Sequence, residues 1–116
     1  MNEEIVKAIK FMANEKGIES QLLAEKIGAA IVTSCKKAFG GNEITHYEAD
    51  MEKDIFRIYV TKNVVDEIQN EYTDISVDEA MKHNKKAVPG DTVDIDLDTK
   101  NFGRIIAQTA KQILTQ

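Results

Sequence analysis

The feature that most constrains the fold is a change of hydrophobic period at Gly40-Gly41. Before this pair, apolar residues recur every three or four positions, as on one face of a helix. From Ile44 onward they alternate, as on one face of a strand. A chain that spends its first third on helices and then turns to strands reads as α+β, with helices packed on a sheet.

The first helical stretch opens with Asn2 as its cap and Glu3 and Glu4 where acids suit the helix dipole. Ile5, Ala8, Ile9 and Met12 fall on one face, and Lys16-Gly17 ends it. Ser20 is expected to cap a second, longer helix striped with Leu23, Ile27, Ala30, Ile31, Cys35 and Ala38. Gly28, Ala29 and Ala30 keep its middle small, which lets a neighbour approach closely. Lys36 and Lys37 occupy its last turn.

Strands are predicted over 44–48, 55–61, 64–68 and 92–97, with a turn at Glu52-Lys53-Asp54 and a kink at Lys62-Asn63. Phe56, Ile58 and Val60 share one face, as do Val93, Ile95 and Leu97. Ser76 and Glu79 form a capping box for a short helix ending near His83. A polar loop and a Pro89-Gly90 turn follow. The last helix carries Phe102, Ile105, Ile106, Thr109, Ala110 and Ile113 on one face, and Arg104, Gln108, Lys111 and Thr115 on another. The predicted architecture is a single α+β domain over residues 1–116: a small sheet of about four strands packed with helices, including a long second helix and a C-terminal helix.

Several function classes lose ground on residue chemistry. The formal net charge of -5 opposes nucleic-acid binding by the whole surface, though not by a local positive patch. A single cysteine, Cys35, permits no internal disulfide and suits a reducing compartment. The start, MNEEIVKAIK, is neither a signal peptide nor a membrane span, so the cytoplasm is the default. Asp94, Asp96 and Asp98 invite a calcium-loop reading, but Thr99 stands where that loop needs Gly and Ile105 where it needs Glu. His46 and His83 have no ligand-like partner spacing, and no phosphate-binding glycine loop or nucleophile elbow occurs. The expectation is a protein without catalytic residues, metal or cofactor.

The segment FGRIIAQTAKQIL, from Phe102 to Leu114, closely resembles the end of the N-terminal domain of the bacterial transcription termination and antitermination factor NusA. There it commonly reads FGRIAAQTAKQVI. EKGI at Glu15–Ile18, Lys36-Lys37, Val64-Val65, ISVDEA at Ile75–Ala80 and PGDTV at Pro89–Val93 follow in that family's order and spacing, so the resemblance covers the whole chain. Asn101 replaces a usual Asp, and either residue caps a helix. Cys35 replaces a frequent Tyr beside the lysine pair.

The resemblance implies a domain that docks on RNA polymerase through the β flap-tip helix. Another possible contact is the C-terminal domain of the polymerase α subunit. The resemblance implies action on pausing, termination and antitermination beside the RNA exit channel. It implies that Lys36, Lys37, Arg104 and Lys111 contact the phosphates of the nascent RNA hairpin without reading bases. It also implies a fragment, since S1 and KH domains follow in the family. On that view the flap-tip helix rests in an apolar groove among the first, second and last helices, and Gly103 is a close-packing position against the sheet. The rival readings are a general RNA-binding module acting without polymerase, a small acid-catalysed or metal hydrolase marked by a divalent ion near Asp94–Asp98, and a purely structural oligomerisation domain.

Overall fold

Glu3 and Glu4 begin helix α1 (Glu3–Lys16) in a computed structural model that describes residues 3–114. Asn2, expected as its cap, lies outside the described residues, as does Thr115. The buried residues of α1 are Val6, Ile9 and Ala13, with Ile5 and Met12 partly buried beside them. Ala8 is exposed, so the buried stripe is rotated from the predicted one.

Helix α2 (Ser20–Ala38) buries Leu23, Ala24, Ile27, Gly28, Ile31 and Cys35. Glu19, not Ser20, holds the cap position, and no side chain completes the cap. Ser20 is instead the first residue of the helix, one position too late to cap it. Ala38 is exposed because the helix ends there.

The sheet is built on one long strand, β2 (Ile55–Val65). Strand β1 (Thr45–Asp50) pairs antiparallel with it, from Thr45↔Val60 to Asp50↔Ile55. Strand β4 (Thr92–Asp96) pairs antiparallel along the other side, from Tyr59↔Asp96 to Asn63↔Thr92. Strand β3 (Asp74–Ser76) pairs parallel with Asn63–Val65. The predicted third strand over 64–68 does not exist as a separate element. Val64 and Val65 continue β2 without a break at Lys62-Asn63, and Ile68 is exposed in the irregular segment that follows. The strand count survives because β3 was not foreseen.

Register assigns the faces. Phe56, Ile58, Val60, Val64 and Val93 are buried on the helix side. The main core joins α1, α2 and the last helix to Phe56 and Ile58. A smaller core of Val64, Ile75, Ala80, Ala87 and Val93 lies under the short helix α3 (Val77–Met81). Ser76 caps α3, its hydroxyl accepting from the Glu79 amide at 3.3 Å.

The chain leaves β4 through a 3-10 turn (Thr99–Phe102) and enters α4 (Gly103–Leu114). Asn101 is inside that turn and caps nothing. Asp98 does the capping, accepting from the Lys100 amide at 3.0 Å. Gly103 is helical (φ -52, ψ -42), and a Cβ there would meet nothing within 4 Å. It is therefore not a close-packing position. Gly28 is one: a Cβ would lie 2.6 Å from the Tyr47 ring of β1.

Candidate nucleic-acid interface

The four expected basic residues sit on the helix layer. Lys36 and Lys37 stand exposed in the last turn of α2, where cations suit the helix dipole. That turn is held by a glycine-dependent close. Gly40 (φ 65) and Gly41 (φ 84) both take left-handed backbone. The Gly41 amide donates to the Lys36 carbonyl at 2.8 Å and the Phe39 amide to the Cys35 carbonyl at 2.9 Å. Gly40 also lies against the Tyr72 ring, where a Cβ would be 2.8 Å away. Phe39 meets the same ring edge-on at 6.5 Å. Tyr72 thus braces the lysine-bearing end of α2 from a remote loop. No periodic signal in the sequence marks that role.

Lys36 is paired. Its Nζ lies 2.8 Å from Glu43 Oε1, both side chains being exposed. The pairing holds the Glu43 carboxyl below the usual carboxylate range, chiefly through the hydrogen bond from Lys36.

Arg104 and Lys111 are exposed on α4, two helical turns apart, with exposed Gln108 between them. Ile106 and Ala110 bury the other side of the helix in the main core, so α4 is anchored through that face. Helix α4 packs on α2, so both basic pairs belong to the helix layer of a domain whose net charge is -5. Cys35, beneath the lysines, is buried. Burial raises its thiol pKa, opposed by the Thr45 hydroxyl, so the thiol is held protonated.

A cleft of about 650 Å³ lies between the start of α2 and the β1–β2 turn, lined by residues that include Lys10, Gln21, Ala49 and Met51. Gln21 bridges its wall, donating to the Ala49 carbonyl at 2.8 Å and accepting from the Met51 amide at 2.9 Å. The large apolar side chains left in solvent on the first two helices are Phe11, 64% exposed, and Leu22, 46% exposed.

The aspartates near β4 each have structural work. Asp94 accepts from the Thr61 hydroxyl at 2.7 Å, Asp96 pairs with Arg57, and Asp98 caps the 3-10 turn. Among the described residues, no three His, Cys, Asp or Glu side chains group to hold a metal ion. No helix there is long and apolar enough to cross a membrane.

The family model for the NusA N-terminal domain matches residues 4–116. The chain belongs to the NusA N-terminal domain family. The NusA transcription termination/antitermination protein of Bacillus subtilis strain 168 is 35% identical over the whole chain. That of Halalkalibacterium halodurans is 36% identical, again over the whole chain. The chain spans 31% and 30% of those two relatives' lengths. The solution structure of the N-terminal domain of B. subtilis NusA matches with a TM-score of 0.61 at 35% identity, covering 100% of this chain and 94% of that one. The α+β architecture is therefore that of the NusA N-terminal domain, and its relatives are named for transcription, not for an enzymatic reaction.

Proposed function

We propose that this domain docks on bacterial RNA polymerase through the β flap-tip helix, beside the RNA exit channel. There it supports the nascent RNA hairpin and so tunes pausing, termination and antitermination. One observation supports the RNA half most directly: α4 packs on α2, and Lys36, Lys37, Arg104 and Lys111 are each exposed on those two helices. On a chain of net charge -5 these cations, Lys36 being shared with Glu43, offer positive charge on the helix layer. Such charge suits phosphates of a hairpin stem that another partner has already brought near, and it contacts backbone without reading bases.

The polymerase half follows the family. Its physical form is helix-in-groove recognition, in which an apolar partner helix covers apolar side chains of the host. Exposed Phe11 on α1 and Leu22 on α2 are the side chains such a helix would cover. The domain acts in the cytoplasm, uses no cofactor and catalyses no reaction in this reading. A general RNA-binding module acting without polymerase is the alternative, and the net negative charge weighs against it.

The double variant Arg104→Ala/Lys111→Ala tests the patch. It is expected to weaken hairpin-dependent pausing in a reconstituted bacterial transcription reaction and to leave polymerase binding unchanged. Hairpin affinity should also lose about two units of its log-log salt slope, about one per lost phosphate contact. Unchanged pausing and an unchanged slope would remove RNA from this face.

A further inference from the structure

The helices cover one face of the sheet, and among the described residues no element covers the other. Register assigns that open face to His46 and Glu48 of β1, Arg57, Tyr59 and Thr61 of β2, and Asp94 and Asp96 of β4. Three features distinguish it.

The first is a row of planar groups. The His46 and Tyr59 rings lie 5.3 Å apart, and the Arg57 guanidinium sits 4.4 Å above the Tyr59 ring. The second is a carboxylate closing that row, because Arg57 Nε donates to Asp96 Oδ1 at 3.1 Å. The third is charge. Glu48, Asp94 and Asp96 outnumber the single cation Arg57, and all three acids are exposed. The face is therefore negative, whereas the helix layer carries the basic patch.

We propose that this open face is a docking surface for a basic, arginine-bearing segment of a protein partner. Arg57 shows what the face accommodates: a planar cation lying on Tyr59 while its donors meet a carboxylate. Arginine combines those two properties, and lysine has neither the plane nor the fork. Nucleic acid is disfavoured because three carboxylates face its phosphates. A second copy of the chain is disfavoured because a self-complementary contact sets the same negative face against itself. The inference is independent of the RNA reading. Together they describe a two-sided adapter, with RNA on the helix layer and a basic protein segment on the sheet.

The test is a titration of the isotope-labelled chain with a short capped peptide of alternating arginine and serine, followed by amide chemical shifts at about 0.15 M salt. Shifts are expected on β1, β2 and β4 around His46, Tyr59 and Asp94, with Arg104 and Lys111 unmoved. The variant Glu48→Gln/Asp94→Asn leaves the Arg57–Asp96 pair in place and should weaken binding about fivefold. Glu15→Gln/Glu25→Gln makes the same charge change on the helices and should weaken it less than about twofold. A lysine version of the peptide should bind about threefold more weakly, for want of stacking.

Absence of binding, shifts spread over every acidic surface, or equal losses in both variants would overturn the docking surface. Equal affinity for the two peptides would overturn the arginine preference. Neither readout moves if only the hairpin reading fails, since that failure appears in the Arg104/Lys111 variant alone.

Discussion

At the scale of the residue, two glycines show how space decides what a sequence position means. Gly28 lies in the interior of α2 and Gly103 is the first residue of α4, and glycine is intrinsically a poorer helix former than alanine, by about 1 kcal/mol in a helix interior. Gly28 meets the Tyr47 ring, with Cβ, Cγ and Cδ2 of that residue all close to where its own Cβ would stand. The contact is at the root of the ring, which rotation cannot clear. Gly103 faces open space in ordinary helical backbone. Gly28→Ala should therefore destabilise the fold by about 1–3 kcal/mol through overpacking. Gly103→Ala should stabilise it by about 0.5–1 kcal/mol. Denaturant titration of both variants checks the pair, and a loss at Gly103 or a gain at Gly28 would contradict the packing described. The small run Gly28-Ala29-Ala30 was legible as a site of close approach. Which of the glycines was crowded was not, because Tyr47 and Gly28 lie on different elements.

At the scale of the element, legibility followed locality. Helices α2 and α4 and the cap at Ser76 were readable because their signals lie within a few residues. Strand β3 was not, because its three residues gain their state only by pairing with Asn63–Val65. Its start is held by Asp74, whose carboxylate accepts from the Gln69 and Asn70 amides at 3.0 and 3.1 Å. Those bonds hold the Asp74 carboxyl below its ordinary value of 3.8, the Asn70 amide first among the causes. A depressed folded pKa contributes stability above the ordinary value and loses it as pH falls through the lower folded value. Amide exchange in 69–76 should accordingly rise as pH drops below about 3.8 in the wild type, beyond intrinsic pH effects. Asp74→Asn should show that exchange at neutral pH already, with little further change on acidification. A wild-type loop indifferent to acid would contradict the clamp.

At the scale of the whole molecule, charge is sorted by layer. The residues expected to meet RNA lie on α2 and α4, and the carboxylates beside Arg57 and Tyr59 lie on the open sheet. The identity of the basic residues was legible through the segment FGRIIAQTAKQIL and the lysine pair. Their arrangement was not. It depends on α4 packing on α2, on the Gly40-Gly41 close, and on Tyr72 against Gly40. The same holds for Glu43, whose pairing with Lys36 links a helix end to the loop that follows it.

The proposed polymerase contact belongs to this scale as well, since in that proposal α1 and α2 present Phe11 and Leu22 together. The most direct measurement is binding of this chain to purified bacterial core RNA polymerase, with and without the β flap tip. Binding that disappears with the flap tip is the predicted result. Binding that survives its removal, or no binding to either polymerase, would contradict the docking proposed for this domain.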